Sequence, residues 1–309
     1  MKKKKTTSVS IFTIILVLIT FIYSTFTEEI NTSFGLPSNQ TITNTKANNT
    51  LSNKTDNVQV SFLDVGQADS ILINSNNEYM LIDAGNNSDG PLLVKYFQTL
   101  GIKEFKYIVG THPHEDHIGG LDDIINSFNI DKIYLPDAIT TTKTFEEVLD
   151  AIDNKNQTYT VPQIDSTFNL GNAKFKVIYT GTDTSDLNNT SIVLKMTFKN
   201  ISFLFTGDTT SKNEQKILNK DIQSTVLKVG HHGSKYSTSN SFLNKVNPKY
   251  AVIEVGTNNI YKHPSLETLT KLKKRNIITY RTDESGSIIA ETDGNNINFT
   301  TKKTNTNGG

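Results

Sequence analysis

From position 58 onward, apolar and polar residues alternate in short bursts separated by Gly, Asn, Asp and Pro. Residues 58–63 and 70–73 read as strands on this period of two, and 78–82 follows as a third after an Asn-rich turn. Residues 91–100 carry helical spacing, and 106–109 form a buried strand that runs straight into a histidine-rich segment. A helix over 118–128, a strand at 132–134 and a helix over 144–154 complete the first half. Further on, strands are predicted at 174–179, 191–198, 202–205, 224–229, 250–255, 277–280, 286–290 and 297–300. Helices at 211–218, 239–244 and 265–274 separate them. Two β-rich halves with helices interspersed predict an α/β domain of sheets packed face to face with helices outside.

The flanks obey other rules. Positions 9–26 are apolar apart from Ser10, Thr13, Thr20, Ser24 and Thr25, and Lys2–Lys5 precede them. As a helix this run spans roughly 27 Å, close to a bilayer core of about 30 Å. Residues 1–30 therefore read as a cleaved signal peptide or a retained N-terminal membrane anchor, and the basic-then-apolar order sends the rest of the chain out of the cytoplasm. The expected location is extracellular or cell-surface, with the membrane met only through this segment. Residues 31–57, rich in Asn, Thr, Ser and Lys, hold too little apolar surface to offset ordering entropy and read as a disordered polar linker. Residues 303–309 read as a flexible tail, leaving 58–302 as a single catalytic domain.

Composition narrows the chemistry. The chain has no cysteine, so a metal here takes nitrogen and oxygen ligands only. Lys+Arg and Asp+Glu balance at 31 each; Lys2–Lys5 against Glu28 and Glu29 put +2 on residues 1–30 and leave −2 on the rest. A body of that charge is no general polyanion binder, and Arg275 and Arg281 are its only arginines.

All six histidines fall in three motifs: His112, His114 and His117 in Thr-His-Pro-His-Glu-Asp-His-Ile-Gly-Gly, His231 and His232 in His-His-Gly-Ser, and His263 in Tyr-Lys-His-Pro. Imidazole and carboxylate in one run are what a zinc, manganese or iron site needs at neutral pH. His112 and His114 can face one cation while Asp116 and His117 face a second. Pro113 stiffens the loop, and Gly119 and Gly120 let the next helix start close to the site. Asp208, at the tip of an apolar strand ending Phe-Thr-Gly-Asp, suits a carboxylate that bridges two cations. His232 is assigned to metal and His231 to the substrate or leaving group; the reverse assignment stays open.

The ordered motifs Phe-Leu-Asp-Val-Gly-Gln-Ala-Asp-Ser (62–70), Leu-Ile-Asp-Ala-Gly (81–85), the His112–His117 run, Phe-Thr-Gly-Asp and Leu-Lys-Val-Gly-His-His-Gly-Ser resemble those of the metallo-β-lactamase superfamily. The likeness covers roughly residues 58–295. It points most closely to the soluble hydrolase domain of ComEC-type competence DNA-uptake proteins, and the phosphorylcholine esterase catalytic domain is also similar. The resemblance implies an αββα sandwich with a two-metal site, usually zinc, held by His112, His114, Asp116, His117, Asp208 and His232, with His231 near the substrate. Ala68 stands where this branch generally has Gly. No histidine occurs between 118 and 230, where many relatives carry a further ligand; the Leu-Asn-Asn-Thr-Ser stretch lies there instead. Asn188 or Asn189 can hydrogen-bond the substrate, and Asn189 is the one assigned. Asp64 and Asp83 are expected to accept the second N–H of ligating imidazoles, and His263 to stand beside the cleft.

The reaction expected is hydrolysis by water activated between two divalent cations, zinc or manganese, with Asp116, His231 and Asn189 catalytic. A phosphodiester suits an open, under-ligated first site better than a β-lactam does. Candidate substrates are DNA and cell-wall phosphoesters such as teichoic-acid phosphorylcholine, acted on by a monomer. Two alternatives are a lactone or thioester hydrolase of the same fold, and an exported module that binds metal or a cell-wall ligand without turnover.

Overall fold

Strand Glu78–Ile82 buries Met80 and Ile82 on one face and Leu81 on the other, all within 1% exposure. A strand apolar on both faces has to be covered on both, and this requirement sets the layering. The structure, a computed structural model, describes residues 56–301. The N-terminal segment, the linker up to residue 55 and the tail from 302 lie outside the described residues.

In chain order, β1 (Val58–Phe62), β2 (Ile71–Ser75), β3 (Glu78–Ile82), β4 (Glu104–Val109), β5 (Asn129–Tyr134) and β6 (Tyr159–Thr160) build the first sheet. Strands β7 (Thr167–Leu170), β8 (Ala173–Tyr179), β9 (Val193–Phe198), β10 (Ile201–Phe205), β11 (Val226–Lys228), β12 (Tyr250–Ile253) and β13 (Ile278–Arg281) build the second. The chain then returns: β14 (Ile288–Thr292) pairs with β1, and β15 (Ile297–Thr301) closes that edge. The sheet orders are β15-β14-β1-β2-β3-β4-β5-β6 and β13-β12-β11-β10-β9-β8-β7.

Between the sheets lies one apolar layer, in which Val60, Phe62, Ile73 and Met80 meet Phe175, Met196, Phe203 and Phe205. On the outer face of the first sheet, Leu81 and Ile108 pack under α1 (Gly90–Thr99), α2 (Glu115–Ile118), α3 (Leu121–Ser127) and α4 (Lys143–Asn154). On the outer face of the second, Leu204, Leu227 and Ala251 pack under α5 (Ser211–Ile217), α6 (Asn240–Val246) and α7 (Leu266–Lys274); a one-turn α8 (Thr282–Ser285) precedes β14. Thr142, Ser239 and Ser265 cap α4, α6 and α7 by accepting the backbone N–H three residues on. This is the αββα sandwich. No helix among the described residues is long and apolar enough to cross a membrane.

Three features depart from the sequence expectation. The single helix predicted over 118–128 is two, broken at Gly119-Gly120. There the backbone passes so close to Asn87 and Ala84 that a Cβ at either glycine would collide with it. Strands β6 and β7 are too short to stand out, one being a two-residue pair and the other a four-residue edge strand in which Phe168 and Leu170 alternate with exposed Thr167 and Asn169, so the sequence reading misses both. The last hairpin joins the first sheet although it comes after the second in sequence.

Candidate metal centre

The chemistry gathers where the two sheets deliver loops to one edge. Strand β4 ends at Val109, and the next loop leads into α2, which carries Asp116 and His117 on one turn. Backbone bonds pin this turn to the neighbouring loops: Asp69 N–H donates to Asp116 C=O (3.1 Å) and Ala84 N–H to His117 C=O (2.7 Å). From the second sheet, the loop after β10 presents Asp208, and the turn after β11 presents His231 and His232. Both histidines hold left-handed backbone, φ 51° and 49°. That region is unfavourable for residues with a Cβ, by roughly 1–2 kcal/mol each. The two rings are thus directed by a tight turn, where the sequence suggested a plain strand end.

Four of the six expected ligands gather in one cluster, and the His112 ring lies against it, its centroid 4.1 Å from that of His117. His112 Nε2 and His114 Nδ1 stand 3.0 Å apart. One ligand atom from each of Asp116, His117, Asp208 and His232 lies within 4.8 Å of the others. Asp208 Oδ2 is 3.3 Å from His117 Nε2, 3.5 Å from His232 Nε2 and 3.8 Å from His231 Nε2, and Asp116 Oδ2 is 3.3 Å from His232 Nε2. All of these but His114, Asp116 and His231 are almost fully buried.

Ionisation follows from this crowding. Burial works against a charged His117, yet Asp208, Asp116 and Asp83 outweigh it and hold the imidazole protonated far above the usual histidine range. His232, buried in the same way, is raised to about 10 by Asp208 and Asp69. Burial disfavours the Asp208 carboxylate, but His232 and His117 keep it well below the usual range. His112 lacks such support: burial, then His117, leaves it neutral. His117 Nε2 and Asp208 Oδ1 are buried with no hydrogen-bond partner. A buried ring nitrogen and a buried carboxylate oxygen without partners fit a divalent cation, which would take the place of the protons on His117 and His232. The all-nitrogen-and-oxygen donor set suits zinc or manganese.

Behind the ligands, one expectation holds, one fails and several residues are new. Asp83 accepts His117 Nδ1–H (2.8 Å), Thr111 N–H (2.7 Å) and Thr111 Oγ1–H (2.8 Å), so it orients His117. Asp64 does not reach a ligand; its carboxylate accepts Gly66 N–H (3.3 Å) and serves its own turn. Asp69 occupies the supporting place instead, with Oδ1 3.3 Å from His232 Nδ1 and Oδ2 3.8 Å from His117 Nδ1. It forms an ion pair with Lys228, both side chains 1% exposed. His232 Nδ1 also lies 2.9 Å from Glu254 C=O, and the Glu254 carboxylate accepts Ser70 N–H (3.0 Å). The signal for these residues was present: Lys228 and Glu254 are charges inside apolar strand runs, and a buried charge needs a partner.

A cleft of about 550 Å³ opens over the ligands, lined by Gln67, Asn188, His231, Tyr261 and His263 among others. Asn189 is turned away from it. Its carboxamide oxygen accepts the Thr210 hydroxyl and its carbonyl accepts Asn213 Nδ2–H, which commits it to α5. Asn188 faces the cleft in its place, its Oδ1 buried and unpartnered. His263 lines the cleft as expected, and burial, with His231 and His232 nearby, lowers its pKa to about 4.

The profile of the metallo-beta-lactamase superfamily matches residues 63–256. This chain belongs to the metallo-beta-lactamase superfamily. Within it, the chain is 30% identical over 251 residues to ComE operon protein 3 of Bacillus subtilis, covering 74% of this chain and 32% of that protein. It is 30% identical over 233 residues to competence protein ComA of Neisseria gonorrhoeae, covering 74% and 31%. The chain thus spans about a third of the length of these ComEC-type relatives. The metallo-beta-lactamase fold protein YhfI from Bacillus subtilis matches with a TM-score of 0.54 at 12% identity, covering 77% of this chain and 100% of that one, a likeness of fold alone. Superfamily fold and clustered ligands together support a metal-dependent hydrolase.

Proposed function

We propose that this protein is a two-metal phosphodiesterase acting outside the cytoplasm. His112, His114, Asp116, His117, Asp208 and His232 would hold the cations, zinc or manganese. Two such cations, when bound, lower the pKa of water towards about 7 and neutralise charge on a phosphoester.

The observation that carries the reading is the character of the cleft. Among the described residues no Lys or Arg lines it. Both arginines are engaged elsewhere, Arg281 with Asp283 and Glu284, and Arg275 with Asn244. Polar atoms line it instead: Asn188 Oδ1, His231 Nδ1 and His263 Nδ1, all buried and without a partner, beside the carboxylates of Glu115, Asp116 and Asp208. Imidazole N–H groups of His231 and His263 can donate to the oxygens of an anionic ester while its charge is met at the ligand cluster. His231, with Nε2 3.8 Å from Asp208, is placed to give a proton to the leaving oxygen. The neutral His263 and Asn188 hold the ester in register.

DNA and cell-wall phosphoesters remain the two substrate sources, and the kinship with competence proteins supports DNA. The exported location rests on the basic-then-apolar order of residues 2–26. The purified full chain, loaded with zinc or manganese, should bind about two ions and hydrolyse bis-p-nitrophenyl phosphate, and Asp208→Ala should abolish turnover. Two bound ions with no turnover of that diester, of DNA or of a phosphorylcholine ester would overturn the reading; lactone hydrolysis alone would redirect it.

A further inference from the structure

Three rings form a row from the ligand cluster to the surface. His231, whose Nε2 lies 3.8 Å from Asp208, packs edge-on against His263 with centroids 5.6 Å apart and planes at 80°. His263 in turn lies nearly parallel to Tyr261, at 5.8 Å and 26°. All three line the same cleft, and Tyr261, 63% exposed, ends the row in solvent. A tyrosine that open contributes little to the core, so packing does not account for its placement.

The loop that presents it is braced. Asn259 Nδ2 donates to the carbonyls of Gly256 (2.9 Å) and His263 (2.6 Å), and its Oδ1 accepts His263 N–H (2.9 Å). Gly256 N–H donates to Gln67 Oε1 (3.2 Å), which ties the loop's base to the first sheet. Lys262, between the two rings, sits in left-handed backbone at φ 57°. A ring held in place before anything binds loses little freedom on binding.

We propose that the row Tyr261–His263–His231 is a subsite for a flat, conjugated substituent of the phosphodiester, stacked on the open face of Tyr261 while the phosphoryl group sits at His231. This rests on the phosphodiesterase reading above. One aromatic face is enough to stack a planar group. A quaternary ammonium group is instead enclosed by several faces. Here His263 covers one side of Tyr261, and the chain has no tryptophan to complete a cage. The other walls, Gln67, Asn86, Asn188 and the Glu115 carboxylate, are polar and give an alkyl substituent no apolar contact.

The test uses the metal-loaded full chain and three diesters that all release p-nitrophenol: bis-p-nitrophenyl phosphate, ethyl p-nitrophenyl phosphate and p-nitrophenylphosphorylcholine. Only the second substituent differs. Tyr261→Ala should lower the aryl-to-ethyl ratio of kcat/KM by at least about fivefold, the lower end of what ring stacking supplies. The loss should fall on KM, and Tyr261→Phe, which keeps the ring, should retain the wild-type ratio. An aryl-to-ethyl ratio indifferent to Tyr261→Ala overturns the subsite while the phosphodiesterase reading stands. A loss confined to the phosphorylcholine ester also overturns it, in favour of a cation. Failure of the wild type on all three diesters and on DNA removes the reading itself and the subsite with it.

Discussion

Replacing Asp83 by Asn keeps the shape of the side chain and removes one charge, and its effect is set by where protons sit. Asp83 Oδ1 accepts Thr111 N–H at 2.7 Å, while Oδ2 faces Thr111 Oγ1 and His117 Nδ1, both at 2.8 Å. An asparagine keeps the first bond through its carbonyl oxygen, which turns its –NH₂ towards His117 Nδ1. Two donors cannot share that contact, so the neutral imidazole moves its proton to Nε2. That atom faces Asp208 Oδ2 at 3.3 Å and must offer a lone pair to a metal. Loss of an orienting partner of this kind costs about 10–100-fold in metal affinity, or about 1.4–2.8 kcal/mol. The assay is zinc binding to wild type and Asp83→Asn by competition with a calibrated chelator, with circular dichroism to confirm the fold. A folded variant that binds zinc within threefold of wild type would refute the tautomer argument.

Other outcomes rest on the same geometry. In protein stripped of metal by EDTA, His232 titrates at about 10 in the fold against about 6.5 when unfolded. Its raised pKa contributes stability that is full below pH ~6.5 and lost as pH climbs to about 10. The thermal midpoint of stripped protein should therefore fall across that window while zinc affinity rises, because the displaced proton leaves more easily; a rising midpoint would contradict the assignment. Asp69→Ala leaves Lys228 buried without its carboxylate, and urea unfolding should show a loss of about 3–5 kcal/mol, whereas Asp64→Ala should leave zinc content unchanged. Asn189→Ala should lower the thermal midpoint by removing the acceptor for Thr210, a loss of about 1 kcal/mol. Asn188→Ala should instead lower turnover at an unchanged midpoint; the opposite pattern would restore Asn189 to the cleft.

Much of this protein was legible without coordinates. Short apolar runs, alternating or continuous, located most strands to within a residue or two, since a strand buried on one face or on both shows this in its composition. The histidine clustering and the carboxylates at strand ends singled out Asp116, His117, Asp208 and His232, which the fold gathers into one cluster, because coordination chemistry demands those residue types in loops beside a rigid sheet. Asp83 could be proposed on the same grounds, being a carboxylate at the end of an apolar strand.

Only the tertiary structure decided which of two neighbours does what. Asn188 and Asn189 are identical in type and adjacent, and the 3₁₀ turn that carries them sends one to the cleft and the other to α5. Asp64 and Asp69 sit five positions apart on one loop, yet Asp69 alone reaches across to Lys228 on the second sheet. The row from Tyr261 to His231 joins residues thirty positions apart. Residue type and period are local properties and can be read along a chain, whereas the partner of a side chain is set by how two sheets close over one core.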